Sequence, residues 1–225
     1  MAVFVPPPCG PLVVWTMPKT GSAWVEVALG LAGGARVDSQ HAPASNKSKL
    51  ALPGGTRHYG TVRDPSPWYV SLWRHLHASG HAGRRALLEW TGSEEATFGV
   101  FLKAVLGPEP PGIHWRGAIL EETGDGPGGL WSRLTRYAYG DGRGGWAVDG
   151  FLRTDSLAED LAEIDVEIPD GLVPPRNVSR DKEGDPGWAP QSEEQHEAVW
   201  EADGPVLAAL RPLLVRYGAT SSTMG

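Results

Sequence analysis

A chain of 225 residues with 40% hydrophobic and 21% charged residues is long enough for one substantial core and short for two. Its 27 acidic against 20 basic side chains leave a formal charge of −7, which excludes a broad basic surface for duplex nucleic acid, so any anionic ligand must be held by a local pocket. The single cysteine, Cys9, excludes an intrachain disulfide, and neither a signal peptide nor a run of spanning length is present, so the expectation is a soluble cytoplasmic protein without a membrane span.

In chain order, Pro11 to Thr16 reads as a short buried strand, apolar and β-branched between prolines. Ser22 to Leu31 is apolar on almost every face and predicts a core helix that ends at Gly33-Gly34. Ala35 to Ala42 predicts a second strand, Asn46 to Leu52 a short helix, and Arg57 to Val62 a third strand that delivers Arg63 to its end. Pro67 to His77 and Glu94 to Leu106 read as helices, and the Gly- and Pro-rich stretch from Gly107 to Gly129 as a loop-rich insertion.

Further on, Leu130 to Tyr139 predicts an amphipathic helix, Trp146 to Leu152 a strand, and Ser156 to Ile164 a helix with Ser156 as its cap. Val173 to Pro190 is polar and turn-rich. Ser192 to Tyr217 predicts a closing helix interrupted near Gly204-Pro205, and 219–225 a frayed tail after a single domain over 1–218. Alternating strand and helix signals imply an α/β fold with a central parallel sheet flanked by helices, its ligand chemistry at the carboxyl ends of the strands.

Pro18-Lys19-Thr20-Gly21-Ser22-Ala23-Trp24 lies between a strand and a helix, where free N–H groups and the helix dipole favour an anion. It is not a Walker A loop, because here the lysine precedes the glycine. By itself the turn is also compatible with an ordinary connection carrying a solvated lysine. Arg63-Asp64-Pro65, with Ser71 eight residues after the arginine, places a planar fork of donors and a helical hydroxyl within one strand-to-helix turn. His41-Ala42-Pro43 stands 22 residues before Arg63. A neutral imidazole there suits proton uptake near neutrality. His75, His77 and His81 lack a carboxylate or cysteine to complete a metal set, so no metal is expected.

These motifs together resemble the sulfotransferases that use 3′-phosphoadenosine 5′-phosphosulfate (PAPS). The loop resembles the family's Pro-Lys-Ser/Thr-Gly-Ser/Thr-Thr-Trp signature, with Ala23 departing from the usual hydroxyl residue. The resemblance implies a P-loop NTPase-like sulfotransferase fold with PAPS as donor cosubstrate. Lys19 would act on the leaving 5′-phosphate, Thr20, Gly21, Ser22 and Ala23 would line the loop, and Trp24 would hold the adenine. Arg63 and Ser71 would bind the 3′-phosphate, and His41 would act as the base.

Phe151 to Leu157 resembles the family's later strand, with Thr154 in place of a tyrosine. Asn177 to Asp185 resembles the loop over the nucleotide, implying Arg180 first and Lys182 second as 3′-phosphate contacts. The expected acceptor is a small-molecule or glycan hydroxyl of unspecified identity, and the oligomeric state is left open. Two other readings stay open. One is a P-loop kinase-like phosphotransferase using magnesium-ATP. The other is a noncatalytic nucleotide-binding module, for which Ala23 and Thr154 are the motivating departures.

Overall fold

The structure, a computed structural model, describes residues 2–5, 10–37, 43–107, 114–115, 118–119, 127–168 and 191–215. They form two compact units. The first holds the described residues of 2–63, 135–168 and 208–215, and the second those of 64–134 and 191–207.

The first unit is a mixed α/β layer around one five-stranded sheet. Its strands are β1 (Ala2–Val5), β2 (Leu12–Trp15), β3 (Ala35–Arg36), β4 (Arg57–Val62) and β7 (Gly150–Arg153), in the order β3-β1-β2-β4-β7. β2, β4 and β7 run parallel, with Val14 opposite Tyr59 and Val62 opposite Arg153. The expected central parallel sheet is present in β2, β4 and β7, and β1 makes the whole sheet mixed by running against both of its neighbours. β1 itself, a four-residue apolar run directly before three prolines, was not expected as a strand. The strand expected from Ala35 forms only at Ala35–Arg36, and 38–42 lie outside the described residues. On the outer side of β7 the chain returns, and Leu214 bridges Phe151 in parallel while the Val215 N–H donates to the Phe151 carbonyl at 3.1 Å.

Strand alternation sorts the core. Val3, Val5, Leu12, Val14, Tyr59 and Leu152 share one face and join Trp24, Val25, Ala28 and Leu29 of α1 (Ser22–Leu31) and Leu157 and Leu161 of α6 (Leu157–Ala162). Every one of these is buried, so removing a single large side chain such as Leu29 costs about 2–5 kcal/mol. The opposite face carries Trp15, His58, Gly60 and Phe151, against which Tyr139 and Trp146 set their rings edge-on to Phe151. A six-residue 3₁₀ segment, Ala44–Lys49, stands where a short helix is expected from Asn46.

The second unit is mostly helical: α2 (Pro65–Ala78), α3 (Gly80–Thr91), α4 (Phe98–Val105), and the parts of α5 (Leu130–Tyr139) and α7 (Glu193–Leu210) that fall within it. Two residue pairs, β5 (His114–Trp115) and β6 (Ala118–Ile119), form a small antiparallel ladder. The sequence gives no sign of α3 because Gly80 and Gly83 weaken the local helix signal. Gly83 is nevertheless required, since a Cβ there would overlap the Leu76 carbonyl of α2. α7 is also continuous through Pro205, where an interruption was expected. The proline leaves the Glu201 carbonyl without a helical N–H partner, and both residues are exposed, so water can serve that carbonyl.

Candidate functional site

β2 and β4 are adjacent and parallel, so their carboxyl ends deliver two cationic segments side by side: the loop of Lys19 after β2 and Arg63 after β4. The loop turns through two left-handed residues, Lys19 at φ 66° and Gly21 at φ 76°. Glycine takes that conformation freely, whereas for lysine it costs about 1–2 kcal/mol. Among the described residues only Asp165 shares this feature with Lys19. Backbone strain held in place by surrounding structure is a mark of binding turns.

Gly21 is the N-cap of α1. No side-chain hydrogen bond caps the helix and no acidic residue lies in its first turn, so no carboxylate of that turn offsets the positive end of its dipole. Thr154 and Leu157 stand beside Gly21, where a Cβ would meet them in ordinary van der Waals contact at 3.5 and 3.9 Å. Thr154 fixes the neighbouring strand end as well, donating its hydroxyl to the Val62 carbonyl at 3.0 Å.

Lys19 is half-buried. Burial first, and the Arg63 guanidinium second, hold its ammonium below the ordinary lysine range. Among the described residues it forms no ion pair. Arg153, the third cation at these strand ends, differs in this respect, because its Nη2 lies 3.4 Å from Oδ1 of the fully buried Asp160. Lys19 and Arg63 stand close enough for the guanidinium to disfavour the ammonium's charge, in a chain whose overall charge is −7. Two cations disfavouring each other's charge, set before an open helix start, suit an anion such as a phosphate.

The other expected site residues fall in several places. Thr20 turns its hydroxyl inward, fully buried, donating to the Met17 carbonyl at 2.8 Å and meeting Thr61 Oγ1 at 2.6 Å. Only its backbone N–H is left for a ligand. Ser22 is partly exposed and Ala23 exposed in the first turn of α1. Trp24 is 4% exposed inside the core cluster, and its Nε1 has no hydrogen-bond partner among the described residues. Ser71 is buried on α2 in the second unit. His41, Arg180 and Lys182 lie outside the described residues.

Sequence reasoning missed Thr61 and Tyr139, which complete the support of the loop. The one local signal was Gly60, a lone glycine inside a strand, which marks a place where other atoms approach the backbone closely. Among the described residues no group of three or more His, Cys, Asp or Glu is placed to hold a metal ion, and no helix is long and apolar enough to cross a membrane. Comparison with family models, curated proteins and solved structures returns no match to this chain.

Proposed function

We propose that the chain is a sulfotransferase that moves the sulfuryl group of PAPS to a hydroxyl of a small molecule or glycan. The observation that carries this reading is the pairing of Lys19 and Arg63 at the ends of two adjacent parallel strands, before the uncapped start of α1. In the reaction the acceptor oxygen attacks sulfur in line with the departing phosphate oxygen, an S–O bond forms and the S–O bond to the 5′-phosphate breaks. Lys19 stabilises the charge that develops on that phosphate, and the α1 N–H groups hold its other oxygens. A lysine held below its ordinary range also gives up a proton more readily to the leaving oxygen. His41 takes the acceptor's proton, and the products are a sulfate ester and adenosine 3′,5′-bisphosphate. Arg63 binds the 3′-phosphate in this scheme, and no metal takes part in it.

A noncatalytic nucleotide-binding module is the second reading, favoured by Ala23 and Thr154. Ala23 brings no hydroxyl to the first turn of α1 and the hydroxyl of Thr154 is committed to the Val62 carbonyl, so fewer groups are left to act on a transferring sulfuryl group. The two readings share a ligand and differ in turnover. Thermal shift with adenosine 3′,5′-bisphosphate in the absence of divalent cations is expected to raise Tm, by about 2.7 kcal/mol of added stability at a hundredfold excess over Kd. A response only to magnesium-ATP would overturn the donor assignment in favour of a kinase-like enzyme. Transfer of labelled sulfate to an acceptor panel, lost in Lys19→Ala and His41→Ala, separates enzyme from module.

A further inference from the structure

Tyr139 reaches the loop from the face of the sheet opposite α1. Its ring is fully buried and its hydroxyl serves two backbones at once, accepting the Met17 N–H at 3.0 Å and donating to the Thr61 carbonyl at 2.6 Å. The circuit closes through side chains. Because the Thr20 hydroxyl donates to the Met17 carbonyl, the 2.6 Å contact between the two threonines is donated by Thr61. Met17 and Thr20 bracket Lys19, and Thr61 stands two residues before Arg63.

Position 60 makes the approach possible. A Cβ on Gly60 would lie 2.9 Å from Phe151 and 3.0 Å from Tyr139 ring carbons, so a larger residue there would force one or both rings to shift. Burial also drives the Tyr139 hydroxyl well above its ordinary ionisation range, which favours the neutral donor.

We infer that Tyr139 is a positioning residue whose hydroxyl, by joining the backbones of Met17 and Thr61, sets the separation of Lys19 from Arg63 before any ligand arrives. Without it, one N–H and one carbonyl are left unpaired in the core, and the loop can recover water for them only by moving away from β4. The consequence for nucleotide binding rests on the sulfotransferase reading, whereas the consequence for Lys19 itself does not.

The test reads Lys19 directly. In protein carrying ¹³C-dimethylated lysines, with the Lys19 resonance assigned by its disappearance in Lys19→Arg, Lys19 is expected to titrate below the other lysines. Tyr139→Phe keeps the ring and removes the hydroxyl, and it should move that titration up toward the ordinary range. Thr61→Val, which cuts the link between the threonines, should move it the same way and serves if Tyr139→Phe fails to fold. Phe151→Leu loosens the packing around the Tyr139 ring but keeps the hydroxyl and its partners, and should move it less than Tyr139→Phe does.

Affinity for adenosine 3′,5′-bisphosphate should fall about tenfold in Tyr139→Phe and stay within twofold in Phe151→Leu. A Lys19 titration unchanged in Tyr139→Phe, or moved equally by Phe151→Leu, overturns the inference. If the wild-type protein binds no bisphosphate but its Lys19 still responds to Tyr139→Phe, the donor assignment fails and the positioning role stands.

Discussion

Each unit encloses a tyrosine hydroxyl, and the two are used for different ends. In the first unit Tyr139 is part of a neutral circuit that joins a loop to a strand end. In the second, Tyr69 donates to Asp203 Oδ2 at 2.8 Å and accepts the Trp131 N–H at 2.9 Å, while Asp203 Oδ1 takes the N–H groups of Gly129 and Ser132, each at 3.1 Å. Asp203 is a cap supplied from another helix, closing the start of α5 with a fully buried carboxylate. Burial raises the ionisation range of all three groups, and for Tyr69 the neighbouring carboxylate adds to it. The charged centre holds a helix end and the neutral one holds a spacing, so damage to the first should appear as lost stability and damage to the second as altered chemistry.

The largest expected effect breaks the charged centre. Asp203→Ala leaves Gly129, Ser132 and Tyr69 donors buried without an acceptor, at a cost of about 3 kcal/mol, seen as a fall of roughly 6–12 °C in Tm. Removal of the Tyr139 hydroxyl strands only one N–H and one carbonyl, so Tyr139→Phe should cost about 1–1.5 kcal/mol in the same melts. Equal losses in the two variants would erase the distinction.

A finer test uses pH. Because burial raises the ionisation range of Asp203 in the folded state, the native protein holds a proton that the unfolded chain releases. That contribution is complete below the ordinary aspartate range and is lost as pH climbs from there through the raised folded value. Asp203→Asn keeps an acceptor for Gly129 and Ser132 and has nothing to titrate. Urea midpoints between pH 4 and 7 should therefore decline less in the variant than in the wild type, and parallel declines would show that the carboxylate ionises in the fold without penalty.

The smallest effect has the opposite sign. Lys19 is charged at neutral pH against both its burial and Arg63, so Lys19→Met should raise Tm by about 2 °C. With a folded ionisation range below the unfolded one, the gain is full at neutral pH and vanishes as alkaline pH discharges the lysine in both states. A Tm that falls instead would assign Lys19 a stabilising partner.

Much of this framework was legible in the chain itself. α1, β4 and α5 begin and end at the residues expected from their patterns, because each is closed by strong local signals: glycines after α1, Arg-Asp-Pro after β4, and a glycine-rich run after α5. β1 and α3 were not legible. A four-residue apolar run says nothing about its partners, and Gly83 makes sense only against Leu76. For the site, the cationic loop and Arg63 could be read as motifs, but the direction of Thr20 and Trp24 could not. Thr20 turns inward to meet Thr61, 41 residues away, and Trp24 enters a core shared with β7 and α6. Tyr139 was the least legible, since its reach to Met17 spans 122 residues.

That separation has a consequence for how the chain is made. During synthesis the hairpin of β1 and β2 can close as soon as both strands have emerged, and β4 can join it soon after. The tyrosine that ties their ends arrives 78 residues after Thr61, and Leu214, which closes the outer edge of β7, arrives later still. A growing chain therefore carries Lys19 and Arg63 on paired strands well before their spacing is set. A nascent chain truncated between β4 and α5 should hold the strands and lack the clamp.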